Sequence, residues 1–156
     1  MPVSLRTVPR FRGTRALVLE PHAQRGVALV DALECLGVSV TRTERPCLAS
    51  ALLQRADRED RPFDVLIVAD EVGGIGGLEL AAALGVRVRR RPVLLLATGP
   101  FSAPSRDRLA RALCSGVVMV PPRPSQLEAA LAACLVPMRR EGAPRRNRLR
   151  LVSTRG

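Results

Sequence analysis

Residues 65–69 (Val-Leu-Ile-Val-Ala) and residues 93–97 (Val-Leu-Leu-Leu-Ala) are short apolar runs without a break. A strand with one wet face alternates apolar and polar residues. A short, β-branched run without alternation is a strand buried on both faces, and it needs helices above and below. Neither run approaches the ~20 residues of a membrane span. The remaining pattern supplies the helices. Residues 15–20 form a first apolar run ending at Glu20. Residues 22–36 carry Leu29, Val30, Leu33 and Leu36 at helical spacing, with Gly37 as the stop. Residues 38–41 alternate like a strand, and 46–56 read as a helix with Pro46 in its first turn. The order then repeats: strand 63–69, helix 76–84, strand 92–97, helix 105–114, strand 117–120. A last helix over 124–135 places Leu127, Leu131, Cys134 and Leu135 on one face. Strands alternating with helices predict a five-stranded, parallel, doubly wound α/β sheet. In such a sheet the functional groups collect at the carboxyl ends of the strands. Here those ends are Glu20, Ala69 with Asp70, Ala97 with Thr98, and Val120 with Pro121.

The length of 156 residues suits one domain, placed at residues 14–136. Residues 1–13 are basic, contain prolines and read as a linker. Residues 137–156 are arginine-rich, include Pro144 and read as a flexible basic tail or linker. The net charge is +11, and every basic residue other than His22 is arginine. The absence of lysine excludes a Schiff base, a P-loop lysine and a lysine phosphate clamp. No apolar signal core opens the chain, so a cytoplasmic location without membrane contact is expected. Cys35, Cys47, Cys114 and Cys134 form no C-x-x-C pair and lie far in sequence from His22, which argues against zinc. They are expected as small core thiols without disulfides. The segment 73–77 departs from G-x-G-x-x-G, because Glu79 stands where the last glycine belongs; a flexible loop is expected. His22 has no nucleophile nearby in sequence and is expected at the surface, opening the first helix. Asp57, Glu59 and Asp60, interleaved with Arg55, Arg58 and Arg61, read as a solvated loop. Arg87, Arg89, Arg90 and Arg91 read as a solvated connector, or as a patch for an anion or partner.

Three stretches carry a resemblance. Residues 16–20 look like a first strand with its acidic end. Residues 64–80 look like a third strand, a phosphorylation loop and the helix after it. Residues 120–127 look like the turn from the fifth strand into the last helix. In this order and spacing they resemble the receiver domain of two-component response regulators, over residues 14–136. A working receiver uses an acidic pair to hold magnesium, an aspartate nucleophile, a Ser/Thr and a lysine. The resemblance puts one acid at Glu20 and leaves Pro21 in place of the other. It puts the nucleophile at Ala69, the hydroxyl at Ala97 and the lysine at Val120, with Pro121 following as in the family. Four of the five positions are therefore lost, which implies a pseudo-receiver with no catalysis, no metal and no obligate cofactor. Asp70 and Thr98 stand one residue later, and Asp70 is the alternative acceptor. A one-residue slip, however, should turn a side chain away from its expected direction.

The basic flanks resemble linkers in hybrid sensor histidine kinases, so histidine kinase domains or other signalling proteins are the expected partners. The receiver face formed by the fourth helix, fifth strand and fifth helix would present Arg106, Arg108, Arg111, Pro121, Pro122 and Arg123. Guanidinium groups suit carboxylates and phosphates. Some degenerate receivers bind cyclic di-GMP on this side, which makes that ligand the alternative. A basic nucleic-acid-binding protein is the second alternative. Aromatic content of 2% gives no stacking platform, and no helix-turn-helix or zinc spacing supports specific readout.

Overall fold

The structure, a computed structural model, describes residues 10–99 and 104–147, with the last helix described by its backbone alone beyond Leu135. Its elements in chain order are β1 (Arg15–Leu19), α1 (Ala23–Cys35), β2 (Ser39–Thr43), α2 (Pro46–Arg58), β3 (Val65–Ala69), β4 (Glu71–Val72), β5 (Ile75–Gly76), α3 (Gly77–Gly85), β6 (Val93–Thr98), α4 (Arg106–Arg111), β7 (Cys114–Met119) and α5 (Pro124–Asn147). Five strands form one parallel sheet in the order β2-β1-β3-β6-β7. This is the doubly wound arrangement that the alternation predicts.

Every residue of β3 and β6 is buried, as their unbroken apolar runs require. Alternate residues feed two cores, one on each face. Ala16, Val18, Ile67 and Leu95 pack under α1 and α5, against Leu29, Leu33, Leu127 and Leu131. Leu17, Leu19, Leu66 and Leu94 pack under α2 and α3, against Leu53, Leu80 and Leu84. Each valine, leucine or isoleucine among them contributes about 1.5–3 kcal/mol on burial. Gly37 closes α1 with φ +92°, a conformation that favours glycine.

Several boundaries differ from expectation. Residues 10–13 are no linker: Phe11 is buried in the α1/α5 core, and its N–H donates to the Leu36 carbonyl at 3.0 Å. Residues 1–9 lie outside the described residues. The fourth helix ends at Arg111, because Leu113 turns to φ +58° and Cys114 already belongs to β7. The segment after β3 is a small antiparallel hairpin, β4 to β5, turning through Gly73 and Gly74, both at positive φ. The last helix continues past the end of its apolar pattern to Asn147, through residues 137–147 that the sequence reading gave to a tail. Pro137, Gly142 and Pro144 stand within this stretch, so helix propensity does not account for the extension. Residues 148–156 lie outside the described residues.

The expectation of core thiols holds in part: Cys134 packs against the α1/α5 core and Cys114 against the α2/α3 core, whereas Cys35 and Cys47 do not. Cys35 and Cys47 are exposed, and Cys114 and Cys134 are half-buried; all four are free. Cys35 follows Leu33 by two residues on α1, and Cys47 precedes Ala49 by two on α2. Such a step carries a side chain to the far side of a helix. Burial raises the Cys114 and Cys134 thiols above their ordinary pKa. Among the described residues no helix is long and apolar enough to cross a membrane.

Candidate functional site

The strand order reverses between β1 and β3, so a crevice opens beyond their carboxyl ends. Glu20 follows β1 and Asp70 follows β3. Glu20 is buried to 1% exposure. Its Oε2 accepts the His22 N–H at 3.0 Å, and its carbonyl accepts from Arg42 Nη2 at 2.9 Å. Its Oε1 makes no hydrogen bond, and Arg25 Nε lies 3.8 Å away. The same guanidinium reaches Asp70, with Nη1 at 3.9 Å from Oδ1. The other Asp70 oxygen accepts from the buried Thr98 hydroxyl at 3.2 Å. Arg25 therefore bridges two carboxylates from the first turn of α1, and Thr98 holds the second from the end of β6. Arg42 reaches Glu20 across α1 because Gly26 has no side chain: a Cβ there would stand 2.0 Å from Arg42 Nε.

The positions that the resemblance assigns to phosphoryl chemistry are apolar and enclosed. Ala69 is 1% exposed, and Ala97 and Val120 are buried. Pro21 is half-buried beside Glu20. The Val120–Pro121 peptide is cis, and the Val120 N–H donates to the Thr98 carbonyl at 2.9 Å.

Asp70 does not turn away from this edge, which corrects the slip argument. Ala69 pairs with Ala97, so the residues after them, Asp70 and Thr98, are cross-strand neighbours. Both have slipped by one position together, and their contact survives. Two backbone bonds hold the turn: Asp70 N–H to the Ala97 carbonyl at 2.9 Å, and Gly77 N–H to the Asp70 carbonyl at 2.8 Å.

A divalent cation does not fit this donor set. The two carboxylates joined at this edge, Glu20 and Asp70, both have a guanidinium within 4 Å. Among the described residues no group of three His, Cys, Asp or Glu is placed to hold a metal. Arg25 supplies a permanent positive charge, since a guanidinium does not deprotonate in proteins. Chemically the edge is an internal charge clamp.

The expected docking residues other than Pro122 are exposed, and among the described residues those that line a groove line separate ones. Arg106, Arg108 and Arg111 lie on α4, which begins with Ser105 accepting the Arg108 N–H. Arg108 pairs with Glu79 of α3 at 3.6 Å, and with Arg111 it lines a groove facing Leu78 and Ala82. Arg123 lines another groove with Met119, Val120, Pro121 and Gln126, while Pro122 is half-buried.

The acidic patch and the arginine connector are solvated as expected except at Asp57, and the two segments also bind each other. Asp57 ends α2 and is buried. Its Oδ2 accepts the Arg89 N–H at 3.0 Å and Arg89 Nε at 3.4 Å; Arg90 pairs with Asp60. His22 is exposed ahead of α1, as expected. Sequence reasoning missed Arg25, Arg42 and the Asp57–Arg89 pair. The available signal for Arg25 was its place in the first helical turn after an acid-tipped strand.

No protein-family model matches this sequence, and no curated protein matches it. Solved structures do. The chemotaxis protein CheY4 of Vibrio cholerae superposes with TM-score 0.66 at 18% identity, covering 78% of this chain and 98% of that one. The receiver domain of a modulated diguanylate cyclase from Desulfovibrio desulfuricans G20 gives 0.64 at 21%, covering 81% and 97%. The receiver domain of the histidine kinase CKI1 from Arabidopsis thaliana gives 0.60 at 18%, covering 71% and 83%. The chain has the receiver fold.

Proposed function

We propose that this chain is a phosphorylation-independent regulatory module of two-component signalling. It performs no chemistry of its own and acts by docking to neighbouring domains of a hybrid histidine kinase or a similar signalling protein. One observation carries this reading. The acceptor position is Ala69, enclosed at the end of β3, and the adjacent Asp70 is held by Arg25 and Thr98. A receiver works by shifting between two arrangements. Here Arg25 already stands between the two carboxylates of this edge, which supports a shift driven by contact with a partner. A cyclic dinucleotide needs guanidinium groups converging on one surface, and Arg108 and Arg111 line a different groove from Arg123. Protein docking is therefore favoured over that ligand.

The test is intact-mass spectrometry of the full chain after incubation with magnesium and acetyl phosphate. The mass should stay unchanged. A stoichiometric, hydroxylamine-sensitive phosphoryl adduct mapping to Asp70 would overturn the proposal.

A further inference from the structure

At the other end of the sheet, where β6 begins, a cavity of about 210 Å³ opens between α3, β6 and the end of α4. It exists because α4 is only six residues long with none of them buried, and because α3 presents Ala81, Ala82 and Gly85 there. Apart from Arg91 and Ser115 its walls are apolar, and no acid among the described residues lines it. Beside it stand Val86 and Leu113, the most exposed large apolar residues among those described, at 70% and 67%. Arg91 lies at the mouth, its guanidinium against Gly85, where a Cβ would come within 3.3 Å of Cζ. Arg89 and Arg90 are engaged by Asp57 and Asp60. Arg87, Arg91 and Arg111 have no such partner among the described residues.

Size and charge together select the occupant. The cavity is larger than the ~150 Å³ that admits benzene and smaller than the ~300–1,000 Å³ of small-molecule sites. It suits one aromatic or branched aliphatic side chain, the anchor of a protein contact. The free guanidinium of Arg91 at the mouth selects an acidic residue beside that anchor. We infer that this groove docks an acidic segment of a partner protein, with one large apolar side chain in the cavity and a carboxylate on Arg91. This rests on the docking reading above and names its surface, remote from Glu20 and Asp70.

The test is an amide-resolved NMR titration of the full chain with a short peptide bearing one phenylalanine among glutamates. Saturable shifts are expected at Ala82, Gly85, Arg91 and Leu113. Affinity should fall at least tenfold when the peptide's phenylalanine is replaced by alanine, or its glutamates by lysines. It should fall as much in Arg91→Gln, and in Ala82→Leu, whose exposed side chain would crowd the groove without touching the core. Absence of saturable shifts, equal binding of the lysine peptide, or equally tight binding of free 3-phenylpropionate would overturn the inference. A phosphoryl adduct on Asp70 would instead overturn the functional reading and leave this surface standing, so the two failures are distinguishable.

Discussion

Asp57 shows what a single buried acid contributes. The Arg89 N–H first, and then its guanidinium, hold the Asp57 carboxyl below the usual carboxylate range against the opposing effect of burial. A depressed folded pKa adds stability that is present above the unfolded value of about 3.9 and is lost as pH falls through the folded value. Asp57→Asn removes that contribution. In urea titrations the variant should be less stable than the parent near neutrality, and the gap should close below about pH 4. A gap that stays constant from pH 7 to pH 3 would contradict the assignment. Burial of Asp57 was not legible in the sequence, because an acid among arginines looks the same whether solvated or paired across 32 residues. Glu20, Asp70 and Thr98 were legible as strand ends. For Arg25 the sequence signals only a cation in the first helical turn beside Glu20; its reach to Asp70 on another strand was not legible.

At the scale of elements, the unbroken runs of β3 and β6 announced their burial, and the helical spacing of Leu127, Leu131 and Leu135 announced the inner face of α5. The end of α4 was hidden, because nothing in an Arg-Ala-Leu-Cys stretch signals the positive φ of Leu113. The junction of β3, its hairpin and α3 depends on close approach. A Cβ on Gly77 would lie 2.0 Å from the Ala69 carbonyl oxygen, a backbone atom with little room to move. Gly77→Ala should therefore destabilise by about 1–3 kcal/mol, in the range of overpacked substitutions. Amide shifts should concentrate at Asp70 and Thr98. Denaturant melts and a proton–nitrogen spectrum would check both; unchanged stability would show that the turn accommodates a methyl group.

For the molecule as a whole, stability depends on two apolar layers that share one sheet. Leu95 is fully buried in the layer under α1 and α5. Leu95→Ala should cost about 2–5 kcal/mol, from lost burial and the cavity left behind. Against a typical total of about 5–15 kcal/mol, that places the domain near its folding threshold. Urea unfolding would measure the loss, and a cost under 1 kcal/mol would mean that this layer is loosely packed.

Ala69 has a consequence for time. Where an aspartyl phosphate forms, its hydrolysis sets how long a response lasts. On the docking reading no covalent bond exists to decay, and the clock becomes the dissociation rate of two surfaces, which spans milliseconds to days among protein complexes. The duration of such a response would be written in an interface and tuned by substitutions in it.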